Sequence, residues 1–163
     1  MRIELFEKQH NREGFDCGEP SLNDFLNLYA GQQQKRNLNR IYVATDEGGA
    51  VKGFYCLSAS SIAFNELPDA LAKRLPRYPV PAVLLGRFAV DQNYQGQGLG
   101  RNLLAHALAR VSEVAKLIGV AFVVVDAKSE KAADFYRRLG FVSLPDRLMT
   151  LVLPVASVAA ATL

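Results

Sequence analysis

Apolar and polar residues alternate over 2–6 and again over 40–45, the two-residue period of half-buried strands. Residues 51–60 repeat the pattern. The Glu47-Gly48-Gly49 run between them reads as a hairpin turn. Leu22, Phe25, Leu26 and Tyr29 recur instead at helical spacing. Ser21 stands before them as an N-cap, with Asp24 three residues on, which predicts a helix to about Lys35. Asp16-Cys17-Gly18-Glu19-Pro20 just upstream is turn chemistry. Further on, Pro68 opens a short helix, and Pro76, Pro79 and Pro81 punctuate its end. Residues 82–90 form a strongly apolar strand, 102–118 an amphipathic helix and 120–126 another apolar strand. Residues 130–139 read as a helix closed by Gly140 in the C-cap position, followed by strands over 141–144 and 148–153. The small, uncharged tail at 155–163 covers a sheet edge, joins a subunit contact or hangs loose. Hairpins come first and a strand-helix-strand crossover later. That order predicts a single α/β domain over 1–163: a mixed, mostly antiparallel sheet with helices on both faces.

Composition narrows the class. Of the 163 residues, 50% are apolar and 21% charged, the balance of a globular chain with a real core. No apolar run approaches the roughly 18 residues of a membrane span. The start reads as an amphipathic strand, not a signal peptide. Cys17 and Cys56 make no disulfide framework, and His10 and His106 lie far apart, with His106 on a solvated helix face. The expectation is a cytoplasmic protein without a metal. The net charge of +3 is too small to prove a nucleic-acid partner. Its distribution is uneven, however. Lys35, Arg36 and Arg40 cluster, as do Lys73, Arg74 and Arg77, and Arg137 and Arg138 follow Tyr136. Each cluster reads either as a phosphate-contacting patch or as solvated loops and helix ends.

The most specific chemistry lies between the 82–90 strand and the following helix, in Gln95-Gly96-Gln97-Gly98-Leu99-Gly100-Arg101. Glycines let a backbone approach a ligand closely. The amides and dipole of a helix N-terminus favour a pyrophosphate, and Arg101 adds a positive charge in the first turn. A dinucleotide fingerprint would need its third glycine where Arg101 stands, and a Walker loop would need Gly-Lys-Ser/Thr. Neither is present. A glycine-rich connector without a ligand is the plain alternative.

The spacing of Gln95, Gly98 and Gly100 resembles the acetyl-CoA signature of the GNAT superfamily of N-acetyltransferases. Ala132-Ala133-Asp134-Phe135-Tyr136-Arg137-Arg138-Leu139-Gly140-Phe141 resembles the second GNAT signature, a tyrosine on a helix shortly before Gly-Phe. The resemblance implies a GNAT fold with acetyl-CoA as cofactor. Phe88, Ala89 and Val90 would hold the pantetheine arm. The amides of Gln95, Gly96, Gln97, Gly98, Leu99, Gly100 and Arg101 would hold the pyrophosphate. Tyr136 would be the catalytic acid that protonates the departing thiolate. The alternative for Tyr136 is a core aromatic packed beside Phe135. Where GNAT members often carry asparagine, seven residues before the tyrosine, this chain has Ser129, which can still hydrogen-bond near the pantetheine. The family's glutamate base has no counterpart in 82–90, and Asp91 falls in the cofactor loop.

The missing base constrains the substrate. A lysine amine, with a pKa of about 10.4, is almost wholly protonated at neutral pH, whereas an α-amine at about 7.7–8.0 is not. Esterifying the neighbouring carboxyl removes a negative charge and lowers the amine further. The stretch from Phe15 to Leu26, then Ala30, Gln32, Arg40-Ile41-Tyr42-Val43 and Leu85-Gly86-Arg87-Phe88-Ala89-Val90-Asp91, is similar to one GNAT branch: the toxins of bacterial toxin–antitoxin pairs that acetylate aminoacyl-tRNA. That likeness implies a block on translation, a ribbon-helix-helix antitoxin as partner and a homodimer. On it, Arg87 contacts the acceptor end or forms an internal salt bridge. Lys35, Arg36, Arg40, Lys73, Arg74 and Arg77 become candidates for tRNA phosphates. A GNAT enzyme acting on a protein N-terminus or a small amine is the first alternative. A non-catalytic acyl-CoA-binding regulator is the second.

Overall fold

Asp46 closes the first hairpin. Its carboxylate accepts the N–H groups of Gly48 and Ala50 at 3.0 and 2.9 Å. That turn sets β2 (Arg40–Thr45) against β3 (Val51–Ile62) in antiparallel register, with β1 (Arg2–Leu5) on the far side of β2. The computed structural model describes residues 1–160. Its other strands are β4 (Val80–Val90), β5 (Phe122–Asp126), β6 (Val142–Leu144) and β7 (Arg147–Pro154). Together they make a seven-stranded sheet in the order β1-β2-β3-β4-β5-β7-β6. β4 and β5 run parallel, whereas β5–β7 and β6–β7 are antiparallel, so the sheet is mixed as the element order predicts. Contacts divide the chain into two compact units, Met1–Ser58 with Gly86–Ala107 and Ala59–Leu85 with the chain from Leu108 onward.

In the first unit a helical segment covers one sheet face. It consists of α1 (Pro20–Asp24), a π-helical turn over Phe25–Tyr29 and α2 (Ala30–Lys35). Leu22, Phe25, Leu26 and Ala30 pack there on Ile41, Val43, Phe54 and Cys56. Phe25 stacks on Phe54 at 6.0 Å, and Phe15 meets the same ring edge-on at 5.7 Å. Two details depart from the sequence reading. The helix begins two residues earlier than a Ser21 cap would give. Glu19 is the N-cap, with no side-chain bond, and Pro20, its φ already suited to a first helical turn, follows it. The π turn, in which the Ala30 N–H reaches the Phe25 carbonyl, inserts one residue into the helical repeat. Ala30 is therefore fully buried, while Tyr29, expected on the apolar face, is 50% exposed.

Beyond α3 (Asp69–Ala72), the long helix α4 (Leu99–Val114) begins three residues before the expected 102 and ends four before 118. Its start is fixed by the Asn102 N–H on the Gly98 carbonyl at 3.1 Å. Past its end, Leu117 and Ile118 are exposed. The first turns of α4 lie on the opposite face of the first unit. A Cβ on Gly53 would come within 2.7 Å of Leu103 Cδ1 and 3.2 Å of the Ala89 carbonyl. His106 is half-buried there and not on a solvated face. Its Nδ1 lies 2.6 Å from the Tyr55 hydroxyl, with the Tyr42 ring 5.3 Å away. Helices on both faces of the sheet are thus realised within this unit.

In the second unit, Ala82–Leu85 pair with Phe122–Val125. Ile62, Leu67, Val80, Phe122, Leu144 and Val152 form a core, and Leu71 and Leu75 close it. Pro68 stands at the N-cap of α3, one position outside the helix it was expected to open. The last helix, α5 (Glu130–Arg138), is followed by Gly140 at φ +100°, the left-handed turn expected of it. The start of the tail is anchored, since Val155 N–H bonds the Ala121 carbonyl at 2.9 Å. Its last three residues, 161–163, fall outside the described part.

The closeness of Gly53 to α4 generates a test of the packing. Gly53→Ala should lower the free energy of unfolding by about 1–3 kcal/mol, the usual cost of overpacking. Urea titration at unchanged m-value measures it. A midpoint equal to wild type would show that the helix does not sit on that strand.

Candidate active site

Pairing between β4 and β5 ends at Leu85, yet β4 runs on to Val90. Beyond Val90 the chain turns through Gln92–Tyr94 and enters α4. Asp91, only 3% exposed, governs that turn. One carboxylate oxygen accepts the Asn93 N–H at 2.9 Å, and the other accepts the Asp16 N–H at 3.2 Å. The Asp91 N–H itself bonds the Lys52 carbonyl at 2.8 Å. Gln95 folds back, its Nε2 donating to the Val90 carbonyl at 2.8 Å, and Gln97 Nε2 donates to the Asn93 carbonyl at 2.9 Å. The glutamine side chains are thus spent on holding the loop.

Gly96 and Gly98 hold φ at +76° and +89°, conformations that side-chain-bearing residues rarely adopt. Nothing lies within 4 Å of where a Cβ would stand on either. The bend is open, and the first-turn amides of α4, at Leu99, Gly100 and Arg101, have no upstream carbonyl within the helix. Gly100 faces the strand instead: a Cβ on it would lie 3.9 Å from Val90 Cγ2 and 4.0 Å from Phe88 Cε1. Phe88, Ala89 and Val90 and the run from Gln95 to Arg101 therefore gather at one strand end, within one unit. An open glycine cradle at a helix N-terminus fits a pyrophosphate.

Tyr136 lies on α5 in the other unit. It is 5% exposed, with Phe135 and Phe141 both at ring distances of 5.4 Å. The core-aromatic environment and a proton-donor role are compatible here. Burial raises the phenol's pKa above the ordinary tyrosine value, so it keeps its proton at neutral and mildly alkaline pH. Ser129 caps the same helix, its Oγ accepting the Ala132 N–H at 3.1 Å. The hydroxyl proton of Ser129 is left to donate. Arg137 is held by Asp134 and Glu130 of its own helix and by Ser143 Oγ, which takes it out of the basic surface.

The cations fall in both units. In the first, Lys35 and Arg36 close the helical segment in exposed positions. Arg40 is exposed too, though its guanidinium is tethered to Asn37 Oδ1 at 2.9 Å and the Asn39 carbonyl at 3.2 Å. Arg87 is exposed, with its guanidinium 4.2 Å from the Phe25 ring centroid, an aromatic contact that neither of its two readings, the acceptor end or an internal salt bridge, foresaw. In the second, Lys73 and Arg77 line a groove of about 480 Å³ with Phe64, Asn65 and Asp69, and Arg74 is exposed beside it. The sequence reading passed over Lys52, whose ammonium lies 5.3 Å from the Tyr94 ring centroid. It also missed Asn23 and the side-chain roles of Asp16 and Asp91. The Asp-x-Gly spacing at Asp16 was the available signal for a side-chain-closed turn. Cys56 is inert, burial pushing its thiol up to about 12.

Residues 37–143 match the acetyltransferase (GNAT) domain family. A tRNA-acetylating toxin of Mycobacterium tuberculosis is 37% identical over 139 residues, covering 85% of this chain and 82% of that protein. Among solved structures, AtaT complexed with acetyl-methionyl-tRNAfMet superposes with a TM-score of 0.91 at 33% identity, covering 98% of this chain and 97% of the other. A tyrosine-to-phenylalanine variant of AtaT, bound to the C-terminus of the antitoxin AtaR and to acetyl-CoA, gives 0.82 at 31% identity, covering 98% and 96%.

The environment of Tyr136 predicts a pH effect. A phenol whose folded pKa is raised contributes stability below its unfolded value, near 10, and that contribution is lost as pH rises through the folded value. Urea denaturation from pH 9 to 11 should show stability falling with pH, and Tyr136→Phe should flatten the fall. Identical slopes in the two proteins would mean that Tyr136 ionises as an exposed phenol does.

Proposed function

The chain belongs to the GNAT acetyltransferase family, and we propose that it moves an acetyl group from acetyl-CoA to the α-amine of an aminoacyl-tRNA, blocking translation as the toxin of a toxin–antitoxin pair. The observation that carries this reading is the open bend at Gly96 and Gly98 at the start of α4. The backbone amides from Gln95 to Arg101 hold the pyrophosphate, and the β4 backbone from Phe88 to Val90 holds the pantetheine arm. Bound there, acetyl-CoA supplies an acetyl group activated as a thioester.

The protein's own residues do little proton abstraction. Asp91 is the one carboxylate between 82 and 101, and both of its oxygens are engaged by backbone N–H groups. The nucleophile must therefore arrive largely deprotonated, and the amine of an aminoacyl ester meets that need. Its proton leaves to water. Tyr136 holds a proton on Oη for the departing sulfur, and its raised pKa keeps that proton in place through neutral pH. Arg87, Lys35, Arg36 and Arg40, with Lys73, Arg74 and Arg77, neutralise tRNA phosphates. A relative's structure contains the C-terminus of an antitoxin. By that likeness the regulatory partner here is an antitoxin, of the ribbon-helix-helix type. The working form is a cytoplasmic homodimer.

Three measurements test the reading. Gly98→Glu puts a side chain and a negative charge into the cradle and should abolish acetyl-CoA binding by calorimetry. Retained affinity in the folded variant rejects the cofactor site. Tyr136→Phe should cut turnover by about 10²–10⁴-fold with cofactor affinity little changed. Wild-type single-turnover rates would leave Tyr136 a packing residue. With labelled acetyl-CoA, label should pass to charged tRNA and not to uncharged tRNA. Salt should weaken binding, log affinity falling by about 0.7 per phosphate contact for each tenfold rise. Replacing Arg36 and Arg40 by alanine should lower that slope. Efficient labelling of a peptide N-terminus or a polyamine, with none on charged tRNA, would assign the chain to the ordinary acetyltransferases.

A further inference from the structure

The stretch that sets this chain's N-terminal half apart from GNAT enzymes in general does not stand alone in the structure. Its Asp16–Gly18 turn is fastened to the far-off 91–95 segment at three points. The Asp16 N–H donates to Asp91 Oδ2 at 3.2 Å, the Gln92 N–H donates to the Asp16 carbonyl at 2.8 Å, and Gln95 Nε2 donates to the Cys17 carbonyl at 3.2 Å. The fit is close, since a Cβ on Gly18 would lie 2.7 Å from Gln92 Nε2.

One side chain fixes the turn that makes these bonds. Asn23, on α1, accepts the Cys17 N–H on Oδ1 at 2.9 Å and donates from Nδ2 to Asp16 Oδ1 at 3.0 Å. The same Asp16 oxygen accepts the Gly18 N–H at 2.9 Å. Asn23 bonds no residue of the glycine loop directly. It acts through Asp16 and Cys17, whose backbone groups are the ones that Asp91, Gln92 and Gln95 use.

We infer that Asn23 and Asp16 are positioning residues that brace the glycine loop in its ligand-ready shape, so that this N-terminal motif serves cofactor capture. The inference rests on the reading of that loop as the acetyl-CoA cradle. A loop already ordered before binding loses less freedom on binding, and affinity rises by that difference. The brace therefore appears in the cofactor's KM and leaves the chemical step and the tRNA contacts alone.

Asn23→Ala should raise the KM for acetyl-CoA about 3–10-fold, the worth of roughly one net hydrogen bond. The kcat at saturation and the KM for charged tRNA should stay within twofold. The conservative variant Asp16→Asn keeps an Oδ1 that can accept both the Gly18 N–H and Asn23 Nδ2, so it rescues the brace and should hold the wild-type KM where Asp16→Ala does not. A residue needed only for folding would shift both KM values and the melting temperature together, with no rescue. Hydrogen exchange on the ligand-free proteins reads the brace without any cofactor: Asn23→Ala should speed exchange at Asn93 and over 95–98 and leave Leu103 to Ala107 protected. Unchanged exchange at those loop amides, or an unchanged KM for acetyl-CoA, overturns the inference. If the wild-type protein itself fails to bind acetyl-CoA by calorimetry, the cofactor reading falls, and the exchange measurement still decides whether Asn23 braces the loop.

Discussion

A buried carboxylate needs partners for its lone pairs, and Asp91 finds them in the N–H of Asn93, two residues on, and of Asp16, 75 positions away. Its own N–H adds a third tie, to Lys52 of β3. The point where β4 stops being a strand is thereby fixed to a neighbouring strand, to the N-terminal turn at Asp16 and to the first turn of the loop. The rest of the site depends on that junction. Gln95 folds back on Val90, and Gly96 and Gly98 open outward, from residues that these bonds hold.

The same junction occupies both carboxylate oxygens of Asp91 with backbone N–H groups. A carboxylate that accepts two backbone N–H bonds in a buried turn is structural, and nothing else acidic occurs between 82 and 101. On α5, Phe135 and Phe141 surround Tyr136, and burial raises its pKa.

Packing and chemistry share residues on the helical segment as well. Phe25 fills the core against Phe54 and also carries the Arg87 guanidinium on its ring. The π turn beginning at Phe25 brings Ala30 into the core and leaves Tyr29 in solvent. A π turn costs regular hydrogen bonding and recurs at functional sites. Here it separates the buried stripe of Leu22, Phe25 and Leu26 from the exposed Lys35 and Arg36.

By itself the sequence determined the elements and the loop. Strong two-residue and helical periods placed β1, β2, β3, β4 and α5 to within a few residues, because burial on one face writes its period into the chain. Gly96, Gly98 and Gly140 were legible because φ values of +76° to +100° leave few other residues possible. Only the tertiary structure decided the rest. The π turn, the pairing of Tyr55 with His106 and the ring beneath Arg87 depend on which faces meet, and periodicity does not record that. The links from Asp16 to Asp91 and from Cys17 to Gln95 join residues 75 and 78 positions apart. No local pattern encodes such a contact, since each partner alone reads as an ordinary turn residue, and only the folded chain brings them to hydrogen-bonding distance.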